Sequence, residues 1–196
     1  MNGKTNKLKV KDLIVTGAFA ALYVVLLLVV VSFLGFIPIT YILVPFLVPI
    51  ILGPVYMMYT MKVPKFGAII ILSAIVGLIT SMGGVWYALL WSLIIGTIAE
   101  FIARMGNYKS QKMYVASFSV FACTIIGPFL MAIFAKSVFL QSCAKYYGQG
   151  YANKLDALTP PWIIFVFIGM SLVGGFVGAN FGKKLLRKHF DKAGIR

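Results

Sequence analysis

Acid–base chemistry, ion coupling or metal binding would fall to very few side chains in this chain of 196 residues. The acids are Asp12, Glu100, Asp156 and Asp191, and the single histidine is His189, set among the lysines near the C-terminus. Glu100 is followed four residues later by Arg104, the favourable helical order for an ion pair, so a structural pair at a helix end is the expected role of that acid. Asp12 stands at the start of the first apolar stretch, where a carboxylate suits the N-terminal end of a helix dipole. Cys123 and Cys143 have no further cysteine or histidine at metal-ligand spacing, which points to neither a disulfide framework nor a metal site. Phosphate-binding glycine loops, His-Glu zinc motifs and Ser-Lys or Ser-His constellations are all missing. The chain is therefore not expected to be an enzyme, and nothing in it calls for a cofactor or a metal.

The elements that would position these groups are apolar stretches. The chain is 61% hydrophobic and 11% charged, with a mean hydropathy of +0.98, far from the balance of a soluble domain. Six stretches approach the length of about 20 residues that crosses a bilayer core: 13–34, 39–60, 66–82, 84–103, 113–135 and 161–182. Their connections sort the 18 lysines and arginines by side. With the N-terminus inside, fifteen lie inside, and only Lys136, Lys145 and Lys154 lie outside. Short-loop cations favour the cytoplasm, so the predicted fold is an all-α integral membrane protein with six transmembrane helices and both termini cytoplasmic. It forms a single domain over 1–196, with basic tails at 1–11 and 183–196, placed as a multi-pass protein in a prokaryotic cell membrane. The net charge of +14 is explained by insertion and by anionic lipid rather than by nucleic acid. The triplet Ala18-Phe19-Ala20 resembles a leader cleavage site, but it precedes most of the apolar run, so a retained helix is expected.

Three irregularities stand out. The segment 136–160 is long for a connection and carries Tyr146, Tyr147 and Tyr151 with Asn153, Lys154 and Asp156; such aromatic density suits an ordered lid or partly helical flap. The second stretch holds Pro45, Pro49 and Pro54, with Pro38 just ahead, and a bend is expected at Pro45 and Pro49. In the last stretch Gly174, Gly178 and Gly182 recur every four residues. That stripe suits close helix packing, either within the chain or against another subunit.

A six-span chain without an ion-coupling group or an ATP site needs a partner to power any transport. A small-residue patch low on the first helix, Gly17-Ala18-Phe19-Ala20-Ala21, could receive a partner helix. The size, the six spans, the basic tail running into KDLIVTGAFAALYVV, the proline-rich second helix and the long penultimate outer loop together resemble the substrate-binding S components of energy-coupling factor transporters. Within these, the chain is most similar to the Trep_Strep group, also called the MptD family. The family's Ala-xxx-Ala on helix one reads Gly17-xxx-Ala21 here. The resemblance implies a high-affinity micronutrient-binding subunit that joins a transmembrane coupling subunit and two cytoplasmic ATPases, then topples to deliver its ligand. It implies Gly17, Ala18 and Ala21 as the coupling face. It also implies a ligand site drawn from Met82, Trp86 and Tyr87, from Tyr146, Tyr147, Tyr151, Asn153 and Asp156, and from Trp162. Those aromatics would suit an aromatic or heterocyclic nutrient, although Trp and Tyr also collect at membrane interfaces without any ligand. Two other readings stay open: a stand-alone homo-oligomeric transporter or channel joined through the glycine stripe, and a membrane scaffold.

Overall fold

The computed structural model describes residues 8–82 and 85–187. Lys4, Lys7, Lys188, His189, Asp191, Lys192, Arg196 and the Gly83-Gly84 connection lie outside the described residues. Helix α1 (Val10–Gly35) is followed by a short α2 (Pro38–Ile42), α3 (Val44–Lys62), α4 (Ala68–Ser81) and α5 (Tyr87–Met105). Then come α6 (Gln111–Phe121), a 3-10 segment (Ala122–Leu130), α7 (Met131–Phe134), α8 (Lys136–Tyr147), α9 (Gln149–Leu158) and α10 (Ile163–Leu185). Among the described residues five helical stretches are long and apolar enough to cross a membrane: α1, α3, α5, the continuous Gln111–Phe134 stretch and α10. The remaining expected crossing is α4, whose 14 residues rise only about 21 Å at 1.5 Å each, short of a core of about 30 Å.

The second expected span is two helices rather than one bent helix. The chain breaks at Leu43 (φ −83°, ψ −6°), so Pro45 sits in the first turn of α3, where no backbone N–H is needed. Pro49 and Pro54 remain inside α3. The fifth span is helical throughout, but its middle nine residues wind as a 3-10 helix, longer than such runs usually are. Pro128 lies within that run and has no N–H to contribute to either winding. The Trp91 indole on α5 donates to the Cys123 carbonyl (2.8 Å) and ties the segment to its neighbour.

Helices α3 and α10 form the most extensive pair, and the glycine stripe is the reason. Gly174 lies against the backbone of Phe46, Gly178 against Pro49 and Ile50, and Gly182 against Pro54, where an added Cβ would come 2.8 Å from the Pro54 Cα. Gly53 faces Gly178 from the α3 side. Packing inside a membrane gains from such close backbone approach, because lipid tails supply no competing hydrophobic drive. The stripe is thus covered by the chain's own α3.

Glu100 overturns the expected pairing with Arg104. Its side chain is fully buried and accepts from the Ile69 N–H (2.9 Å), from the Ile70 N–H (3.4 Å) and from the Tyr108 hydroxyl (2.7 Å). Arg104 instead lies over the Phe66 ring, 5.2 Å from its centroid. The cause is the start of α4. Its preceding residue, Gly67, has φ +93°, a conformation glycine adopts without cost, but glycine has no side chain to cap the first free N–H groups. A carboxylate from α5 does so instead. Around it, Tyr59 donates to the Ala68 carbonyl (2.6 Å), and Tyr114 donates to the Tyr108 carbonyl (3.0 Å). Asp12 closes the same end: it accepts from the Lys9 N–H (2.7 Å) and pairs with Lys65 (2.6 Å), joining α1 to the turn before α4.

Two outcomes follow from this packing. Gly178→Ala forces a backbone shift and should destabilise by about 1–3 kcal/mol, read as a lower Tm in detergent; Gly169→Ala, on an exposed face with open space around it, should leave Tm unchanged or slightly raised. Glu100→Gln keeps the size but weakens the acceptor for three donors, and a loss of about 1–3 kcal/mol is expected, with Arg104→Gln near neutral in the same assay.

Candidate functional site

The residues between α7 and α10 fold as α8 and α9, hinged at Gly148, whose φ of +88° suits glycine. This pair forms a flap over one end of the bundle. Phe139 and Leu155 are buried against Ala132, with Tyr41, Ile42 and Tyr151 around them. Three polar ties hold the flap. Tyr151 donates to the Gly35 carbonyl at the end of α1 (2.7 Å). Lys136 pairs with Asp156 (2.6 Å) and donates to the Thr159 carbonyl (3.0 Å), so the start of α8 clasps the end of α9. Burial pushes the Tyr151 phenol up to about 12, with Cys143 and Tyr147 adding to the effect, so at neutral pH it keeps the proton it donates.

The nine side chains proposed for ligand binding fall into separate groups. Trp86 and Tyr87 are in edge contact (5.7 Å), and Tyr87 reaches Phe134 (6.4 Å). Tyr147 stacks on Tyr151 (4.7 Å) on the flap, and among the described residues no ring contact links the two groups. Met82, Tyr146 and Trp162 are largely exposed, with the Lys145 ammonium 5.8 Å above the Tyr146 ring. Asn153 accepts from the Gln149 side chain (3.0 Å), and Asp156 is engaged by Lys136. Tyr147, Tyr151 and Asp156 belong to the flap's own contacts, and Trp86 and Tyr87 to a separate group beside Phe134.

Two concave spaces among the described residues are lined by other side chains. A shallow groove of about 430 Å³ runs between Ile37, Pro38 and Ile39 on one side and Lys154, Ala157 and Leu158 of α9 on the other. A more enclosed cavity of about 230 Å³ sits inside the bundle, lined by Leu27, Val31, Tyr41, Thr80, Ile125 and Phe129 among others. Sequence reasoning missed it because its walls are ordinary core residues from α1, α2, α3, α4 and the 3-10 segment. The prolines flanking the break at Leu43 and Pro128 in the 3-10 segment are the signals that could have pointed there, since helices that break or change winding pack less regularly.

On the opposite half of α1, Gly17, Ala18 and Ala21 are all exposed, and an added Cβ at Gly17 meets nothing within 4 Å. Ile14, Leu22 and Val25 extend this apolar face. No cluster of three metal-ligating side chains occurs among the described residues.

A family model described as "Hypothetical bacterial integral membrane protein (Trep_Strep)" matches residues 10–192. The chain belongs to the Trep_Strep family. It is accordingly a multi-pass integral membrane protein of bacterial type, which agrees with the five apolar helices of spanning length. No curated protein and no solved structure matches it. Within this Trep_Strep protein the flap's tie to α1 is directly testable. Tyr151→Phe removes one hydrogen bond worth about 1 kcal/mol, so amide exchange across α8 and α9 should speed up about five-fold, while Tyr146→Phe leaves it unchanged.

Proposed function

We propose that this Trep_Strep protein is the substrate-binding S component of an energy-coupling factor importer. It captures a small nutrient, probed first among aromatic and heterocyclic compounds, at the end of the bundle covered by the flap. The observation that carries this reading is the uncovered small-residue face of α1. Gly17, Ala18 and Ala21 are exposed among the described residues, with open space beside Gly17, and in a membrane such a face is where a partner helix can approach closely. That partner would be a transmembrane coupling subunit bearing two cytoplasmic ATPases, which carry out all the hydrolysis; the chain itself is not an enzyme. Toppling of the bound complex in the bilayer would then deliver the ligand inward.

Two further observations support the reading. Glu100, the buried acid of the spans, has its oxygens occupied by the N-terminus of α4 and by Tyr108, which favours an external energy source over ion coupling. The glycine stripe that a homo-oligomeric transporter would need is filled by α3, so the stand-alone reading loses its interface.

The test is affinity purification of the tagged chain from its native membrane in mild detergent. A coupling protein and two ATPases should come with the wild type and with Gly169→Leu, and should be lost with Gly17→Leu. Recovery of the chain alone, or equal recovery of partners with Gly17→Leu, overturns the assignment.

A further inference from the structure

The 230 Å³ cavity has a defined chemistry. None of its ten lining residues is charged. An ion placed there would give up its hydration with no counter-charge in return, a cost of many kcal/mol, so the cavity selects neutral molecules. Only two lining residues bring hydroxyls. Thr80 donates its own to the Val76 carbonyl (2.9 Å). Tyr41, half-buried and ring-packed on Phe129 at 4.8 Å, has no hydrogen-bond partner for its hydroxyl among the described residues. Its hydroxyl lies near Cys143, Tyr147 and Tyr151 of the flap, so the cavity wall is offered the Tyr41 ring.

Size narrows the class further. An apolar cavity of about 150 Å³ holds benzene, whereas pockets for drug-sized ligands begin at about 300 Å³. At 230 Å³ this one suits a single ring with a short substituent. Tyr41 also belongs to the cluster on which the flap rests, beside Phe139 and Leu155, so an occupant touches a residue that supports α8 and α9.

We propose that this cavity binds an uncharged, single-ring-sized molecule packed against the Tyr41 ring. Identifying that molecule as the transported substrate rests on the importer reading; the binding itself does not. The site is lined by core residues rather than by the outer aromatics, and it meets the flap's support at Tyr41.

The experiment uses the full chain in lipid nanodiscs, labelled with 3-fluorotyrosine, the Tyr41 resonance being assigned with Tyr41→Phe. Phenol is titrated as the neutral probe and benzoate as a charged probe of similar size, both at pH 7. Phenol should shift the Tyr41 resonance saturably, and benzoate should not. Val31→Phe and Ile79→Phe fill the cavity from different walls, and each should weaken phenol binding at least ten-fold while thermal unfolding confirms a folded chain. The wild-type titration stands by itself if a filled variant fails to fold. The proposal is overturned by the absence of a saturable shift, by an equal response to benzoate, or by undiminished binding in folded filled variants. Binding in lipid-free detergent that vanishes in nanodiscs also overturns it, because an acyl chain then occupies the cavity. All of these outcomes are read without partner subunits, so they are separate from loss of the coupling complex, which bears only on the importer reading.

Discussion

Inside hydrocarbon every backbone N–H and C=O must find its partner within the protein, and most of the irregular features of this fold are answers to that demand. A helix that begins at an uncapped glycine would expose its first N–H groups, and Glu100 reaches across from α5 to take them. Serine and tyrosine hydroxyls serve the carbonyl side. Ser92 donates to the Ser73 carbonyl (2.6 Å) and Ser117 to the Ala99 carbonyl (2.7 Å), with Tyr56 bonded in turn to Ser117 (2.7 Å). Tyr56 lies between Phe118 and Phe121 with centroids 4.8 and 4.9 Å away, so the same side chain fills the core and extends the polar chain. Buried polar groups of this kind stabilise only when fully satisfied; among the described residues Ser171 alone has a buried side-chain atom without a partner.

Close packing is the second consequence. Proline-bearing α3 lacks some internal hydrogen bonds, and α10 lies directly against it because its glycines present no Cβ at the crossing. One chemical choice, glycine every fourth residue, thereby decides both the main helix pair and the absence of a free stripe for another subunit. The face of α1 bearing Gly17 also carries small residues but has the opposite outcome, since among the described residues it stays exposed. Small residues mark where backbones can approach, but whether a neighbour is internal or external is settled by what the other helices do.

The flap end has the same division of labour. Tyr151 ties the α8–α9 pair to α1 and Tyr147 stacks on it, while the enclosed space lies among leucines, valines and isoleucines of the core. Tyr41 connects the two, belonging at once to the main core, the flap cluster and the cavity wall.

The sequence by itself determined that this is a helical membrane protein, because hydropathy and chain length act locally and a run such as 13–34 has no other stable environment. It also pointed to the Trep_Strep family, to the glycine stripe as a packing surface and to a structured segment between the last two long helices. It misplaced Glu100, because helical spacing to Arg104 is visible along the chain whereas the start of α4, more than thirty residues earlier, is not. It read one bent helix where Leu43 breaks it into two, since proline strain can be relieved by bending or by restarting and only the packed neighbours choose. The cavity was invisible for a related reason. Empty space belongs to no residue; it is the volume left when α1, α3, α4 and the 3-10 segment meet with imperfect complementarity, and only tertiary packing decides where that volume falls.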